Sequence, residues 1–177
     1  VYPLAIGYCA GCGLVQLMYI VKPELMFKNY VYVPSASGAR LENFKQIIHE
    51  MTSLSRPSRS SLAIDIGSND GSMLMEFKKE GIKVLGIDPA ENLAKLAEMK
   101  GVPTICDYIK PTLARKIGIK YGSADYITAT NVVAHIDDLR GLFSSIRILL
   151  CKKGIFVCEF PYLVDLLDKC FFDTIYH

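Results

Sequence analysis

The sequence lacks a dominant charge: 20 Lys and Arg nearly cancel 18 Asp and Glu, leaving a formal +2 over 177 residues. The two signs interleave along the helical stretches. A surface that tracks nucleic-acid phosphates through counterion release needs a large basic excess, so no nucleic-acid partner is expected. Residues 1–21 carry no charge at all, yet they have no basic n-region, and Pro3, Gly7, Gly11 and Gly13 interrupt any helix there. Neither a secretory leader nor a membrane span is expected from such a run. Cysteine is too sparse for a stapled scaffold. Cys9, Cys12, Cys106, Cys151, Cys158 and Cys170 are scattered through a chain that is 51% hydrophobic and can build a core without them. Free thiols in a reducing, cytoplasmic compartment follow. No internal repeat and no low-complexity segment is present. The length suits one α/β core with a short appendage, because such a domain needs about 100–200 residues.

Residues 1–37 are rich in Tyr, Gly and Pro and read as loops and short strands. Leu41, Phe44, Ile47, Ile48, Met51 and Leu54 then recur at helical spacing, which predicts one amphipathic helix. A Pro and Ser cluster from Ser55 to Ser61 ends it and serves as a linker. We therefore divide the chain into residues 1–37, a helix and linker at 38–61, and a Rossmann-like domain at 62–177.

Beyond residue 61 the pattern alternates. Short, β-branched or aromatic runs at Leu62–Ile66, Lys83–Ile87, Pro103–Cys106, Asp125–Thr130 and Ile155–Phe160 predict five strands. Helical stretches lie between them at Ser72–Glu80, Ala90–Lys100, Thr112–Tyr121 and Asp137–Lys152, with another at Tyr162–Lys169. Such alternation implies parallel pairing with crossovers that cover both sheet faces. The expected fold is a doubly wound α/β sheet.

One segment carries chemistry. Asp65-Ile66-Gly67-Ser68-Asn69-Asp70-Gly71 lies where the first of these strands passes into a helix, and ligands of open α/β sheets bind at the carboxyl ends of strands. Gly67 and Gly71 permit a tight turn and close approach to a ligand. Asp88 closes the second strand, where an acid can accept hydrogen bonds from both ribose hydroxyls of an adenosine. A polar turn alone would carry no ligand, but strand, loop, helix and distal acid occur here in order. A dinucleotide needs Gly-x-Gly-x-x-Gly amides around its pyrophosphate. Asn69 and Asp70 instead make an acid-bearing loop, which suits the cationic methionine end of S-adenosylmethionine. Methyltransferase is thus favoured over dehydrogenase. Asp107 follows the third strand and can accept from the adenine amine or cap the next helix. Asn131 and His135 follow the fourth strand at the same sheet edge, and His135 can shuttle a proton or pack structurally.

The residues at this point resemble the S-adenosylmethionine-dependent sugar C-methyltransferases that act on nucleotide-activated ketosugars. The resemblance rests on Tyr2-Pro3-Leu4, the run from Cys9-Ala10-Gly11-Cys12 to Leu17, Tyr30-Val31-Tyr32, Asp65 to Gly71, Asn131 to His135, and Phe172-Asp173-Thr174-Ile175-Tyr176-His177. It implies a nucleotide-sugar substrate, with Tyr30, His135 and Tyr176 lining the acceptor pocket, and Asp65, Gly67, Asn69, Gly71, Asp88, Asp107 and Asn131 on the cofactor. It also implies a structural zinc held by two Cys-x-x-Cys pairs, of which Cys9 and Cys12 match the second. A closed zinc shell wants four ligands, so this pair alone does not complete one. The family's terminal motif runs Tyr-His-Glu-His, whereas this chain stops at Tyr176-His177. An internal fragment is therefore expected, its sheet truncated after the fifth strand and its activity lost. Two other readings stay open: a non-catalytic nucleotide-binding or interaction module with a zinc element, and an O- or N-methyltransferase of small molecules.

Overall fold

A computed structural model describes residue 3 and residues 5–171. Tyr176 and the rest of residues 172–177 lie outside the described residues, as do Tyr2 and Leu4. The chain opens with an antiparallel hairpin, β1 (Ile6–Tyr8) and β2 (Val15–Leu17), in which Gly7 faces Gln16. A short helix α1 (Pro23–Phe27) and a 3-10 turn at Pro34–Ala36 follow. Helix α2 (Gly38–Leu54) starts where the Ser37 side chain accepts a hydrogen bond from the Arg40 N–H, a serine cap for one of the orphan donors of a first turn.

The sheet follows: β3 (Leu62–Ile66), β4 (Lys83–Ile87), β5 (Thr104–Ile105), β6 (Ala124–Thr130) and β7 (Leu150–Glu159). Its order is β5-β4-β3-β6-β7, and all the pairings are parallel. Crossover helices α3 (Ser72–Lys79), α4 (Glu91–Met99), α5 (Pro111–Tyr121) and α6 (Leu139–Leu149) connect the strands, and α7 (Leu163–Asp168) comes after them. This is the doubly wound, Rossmann-like architecture that the alternating pattern predicts.

Each face of the sheet has its own core. On one face Ile64, Ile66 and Ile127 pack with Ala114 and Ile117 of α5 and Leu142, Ile146 and Leu149 of α6. On the other, Ala63 and Tyr126 pack with Met73, Leu74 and Phe77 of α3, and with Phe44, Ile48 and Met51 of α2. The apolar stripe of α2 is thus spent on the sheet. The Tyr126 hydroxyl fastens its end, donating to the Ser55 carbonyl at 2.5 Å. Central β3 is buried along its whole length, as expected for a strand covered on both faces.

One boundary differs from the sequence reading. The helix expected over Asp137–Lys152 stops at Leu149, and the last strand begins at Leu150 rather than Ile155. The pairing jumps there, with Ala124 opposite Leu150 but Tyr126 opposite Ile155. The charged Lys152 and Lys153 therefore sit in an irregular excursion of the strand, which a period-2 pattern does not reveal. Among the described residues no helix is long and apolar enough to cross a membrane.

Candidate active site

Strand order creates the site. The chain leaves β3 toward β4 on one side and later returns to pair β6 on the other, so the loops after β3 and β6 diverge and leave a crevice between them. It opens into a cleft of about 710 Å³, ample for a nucleoside-sized ligand and part of a second one. Gly67 makes the divergence possible. Its φ is +71°, and a Cβ at that position would lie 2.2 Å from Cγ2 of Val132 in the opposite loop. The loop is tied down by the N–H groups of Gly67 and Ser68, which both donate to the Ile87 carbonyl at 2.8 and 3.2 Å.

Three acids support this loop in different ways. Asp65 is buried, lines the cleft and accepts a 2.7 Å hydrogen bond from the Thr128 hydroxyl. Burial pushes its carboxyl up to about 7, against the pull of Thr128 and with the help of the Asp88 charge. Asp88 accepts from the Asn69 N–H and the Ala90 N–H, both at 2.8 Å. Burial raises this carboxyl too, opposed by those two bonds. Asp70 is buried and paired with Lys100 at 2.6 Å. Burial alone would raise its carboxyl, but Lys100, Ser35 and Ser72 outweigh that and hold it low. Its charge is therefore spent on bracing the start of α3.

The cleft wall contains Asp65, Gly67, Asn69, Asp107, Asn131, His135 and Tyr30. Gly71 and Asp88 are not on that wall. Gly71, with φ +76°, turns toward Val102 and Ala97, where an added Cβ would sit 3.1–3.2 Å from their side chains. Asp88 lies beneath the loop that it braces. Asp107 does not cap the following helix, whose N-cap is Lys110 without a side-chain hydrogen bond; its carboxylate accepts from the Tyr108 N–H at 2.7 Å.

An aromatic group of Phe27, Tyr30 and His135 also lines the cleft. Phe27 stacks in tilted contact with His135 (ring centroids 5.5 Å) and with Tyr30 (5.9 Å). Tyr30 is held by α4, because the Asn92 amide accepts from its N–H at 3.3 Å and donates to its carbonyl at 2.8 Å. Asn69 reaches the same segment, donating to the Tyr32 carbonyl at 3.0 Å. Its φ is +50°, and its amide oxygen accepts from the Asp70 N–H at 2.8 Å, so one side chain ties the loop to itself and to the Tyr32 segment.

Sequence reasoning missed Phe27, Asn92 and an ionic cluster. Glu159, at the end of β7, accepts from Arg40, Asn43 and Asn131 at 2.5, 2.8 and 2.6 Å. The signal that could have found it is its place at a strand's carboxyl end. Arg40 and Asn43, one turn apart on α2, offered no signal without knowledge of where that helix docks.

Cys9 and Cys12 flank a tight turn in which the Gly13 N–H donates to the Cys9 carbonyl at 2.8 Å, and both thiols are exposed. A hydrogen bond from Cys12 lowers the Cys9 thiol. The pair supplies two donors of a tetrahedral shell; among the described residues no group of three or more potential ligands converges. As described, these residues do not by themselves fit a closed zinc site.

The chain shares its family and its fold with known proteins. Residues 39–169 match the family described as a methyltransferase domain. The chain is 32% identical over 176 residues to the C-methyltransferase NovU of Streptomyces niveus, covering 99% of this chain and 42% of that protein. The chain thus spans less than half the length of that relative. Two solved structures share its fold. The PH0226 protein of Pyrococcus horikoshii OT3 superposes with a TM-score of 0.61 at 18% identity, over 84% of this chain and 63% of its own. An S-adenosylmethionine-dependent methyltransferase of Clostridium acetobutylicum ATCC 824 gives 0.59 at 17%, over 71% and 52%.

Proposed function

The chain belongs to the methyltransferase-domain family, and from that premise we propose that it binds S-adenosylmethionine in the cleft and serves C-methylation of a nucleotide-activated ketosugar. The observation that carries this reading is a single cleft whose wall joins Asp65 and the glycine loop after β3 to the Phe27, Tyr30 and His135 cluster. The C-methyltransferase relative supports transfer to carbon.

Bound there, S-adenosylmethionine supplies an electrophilic methyl group on a sulfonium. The other tasks fall to the chain. Asp65 offers a carboxylate to the cationic amino-acid end, and Asp88 and Asn69 fix the loop that receives the ribose. Asp107 stands where an adenine amine can donate. A ketose carbon becomes nucleophilic when a base takes its proton and donors stabilise the enolate oxygen. The resemblance gives that base as the histidine that ends the family's Tyr-His-Glu-His motif, and the carbon's attack on the sulfonium methyl would release S-adenosylhomocysteine. His135 and Tyr30 are the donors we assign to that oxygen, with Tyr176 as a third member of the acceptor pocket. Their shared contact with Phe27 keeps His135 and Tyr30 together on the cleft wall, which supports assigning both to one acceptor, since methyl transfer needs acceptor and donor held in fixed geometry.

The experiment is a transfer assay with S-adenosylmethionine labelled in its methyl group and a panel of nucleotide ketosugars, with the product examined by NMR. Label on a ring carbon supports the reading. Label on oxygen or nitrogen replaces it with the small-molecule alternative, and binding of NADH in preference to S-adenosylhomocysteine rejects the cofactor. For Cys9 and Cys12 we propose zinc ligation together with a second cysteine pair in the intact protein. Elemental analysis of that protein should give about one zinc per chain, and a zinc-free folded protein refutes it.

A further inference from the structure

Glu159 is the hub of the acceptor end. Its Oε1 accepts from Arg40 at 2.5 Å and from Asn131 at 2.6 Å, and its Oε2 from Asn43 at 2.8 Å. The backbone adds a fourth tie, since the Asn131 N–H donates to the Glu159 carbonyl at 2.7 Å. Asn131 has φ +55°, a left-handed conformation that asparagine tolerates better than most side chains. Arg40 and Asn131 both line the cleft, one from α2 and the other from the loop after β6. Without Glu159, the guanidinium would be left without its counter-charge and the Asn131 amide without its partner. Three donors outweigh burial and keep the carboxyl low, so it is a poor proton acceptor and a good anchor.

We propose that Glu159 is a positioning residue that aims Asn131 and Arg40 at the methyl acceptor, which assigns Asn131 to the acceptor rather than to the cofactor as the resemblance implies. It touches neither cofactor nor acceptor and acts through these two side chains. The inference rests on the methyl-transfer reading of the cleft.

The test uses Glu159→Gln and Glu159→Ala in the intact enzyme. Gln keeps the shape and can still accept from Arg40 and Asn131, but it lacks the charge and presents N–H to Asn43. The glutamine variant should fold and bind S-adenosylhomocysteine within about twofold of wild type, since no bond to the β3 loop changes. Its kcat/KM for the acceptor should fall by about 10–100-fold, the scale of a small misplacement in the site. The alanine variant should fall further. Unchanged turnover per folded molecule overturns the proposal, and so does a parallel loss of S-adenosylhomocysteine affinity, which would place Glu159 on the cofactor side. If wild type methylates no nucleotide ketosugar, the proposed acceptor is wrong, and NMR of the Asn131 amide and Arg40 guanidinium decides instead. Resonances displaced downfield in wild type and restored toward free values in the glutamine variant uphold the anchoring. Resonances already at free values in wild type overturn it.

Discussion

Asp65 and Thr128 face each other across the two central strands, and the threonine hydroxyl donates a 2.7 Å hydrogen bond to a carboxylate that has almost no access to water. The pair lies at the floor of the crevice, where strand order reverses.

A pH dependence follows. With the Asp65 carboxyl near 7 in the folded protein and about 3.9 unfolded, the native state holds the proton more tightly. The stability this group contributes is complete below about pH 3.9, declines as pH rises toward 7, and levels off above it. The ammonium at the ligand's amino-acid end favours the ionised form, so S-adenosylhomocysteine should bind about tenfold more tightly at pH 8 than at pH 6. Calorimetry at several pH values checks this. Asp65→Asn should bind more weakly and lose the dependence, and a dependence that survives in that variant would assign it to another group.

Asp88 holds the loop by accepting the Asn69 N–H. Replacing it with alanine removes this brace from the loop that we assign to the ribose. S-adenosylhomocysteine affinity should fall by about 1–3 kcal/mol. An unchanged titration would remove Asp88 from the site.

Gly67 is confined by its φ of +71° and by Val132. Gly67→Ala should destabilise the protein by about 1–3 kcal/mol in denaturant titration. Part of that cost is steric, so it should shrink when Val132 is also reduced to alanine. A strictly additive double mutant would show that the clash does not exist.

Asn92 holds both backbone groups of Tyr30. Asn92→Ala should lower acceptor turnover while leaving S-adenosylhomocysteine binding nearly unchanged, because Asn92 makes no bond to the β3 loop. Equal losses in both would show that the tyrosine segment also serves the cofactor.

Much of this was legible in the sequence, for identifiable reasons. Leu62–Ile66 and Lys83–Ile87 were located to the residue because each is a short apolar run bounded by turn formers. The turn after β3 was legible because glycines bracket a short polar run directly after an apolar strand. The tie from Asn69 to Tyr32 was not legible, since the two lie far apart in sequence and neither sits in a periodic pattern. The same holds for Arg40 and Glu159, whose meeting depends on where α2 lands. Of the two readings open for Asp107, the structure sets aside the helix cap. An acid before a helix resembles a cap, but Pro111 sets the start of α5 and moves the cap to Lys110.

The cleft draws its wall from α1 at one end of the sequence and from Pro161 after β7 at the other, with paired strands as distant as Ala63 and Tyr126. No local segment can therefore present the site before the whole sheet is closed. A ligand that needs the complete wall couples to global unfolding and adds to it by mass action. Saturation should then slow hydrogen exchange at amides deep in β3 and β6 that it never touches, as well as at the rim. The order of the strands makes occupancy a property of the entire fold.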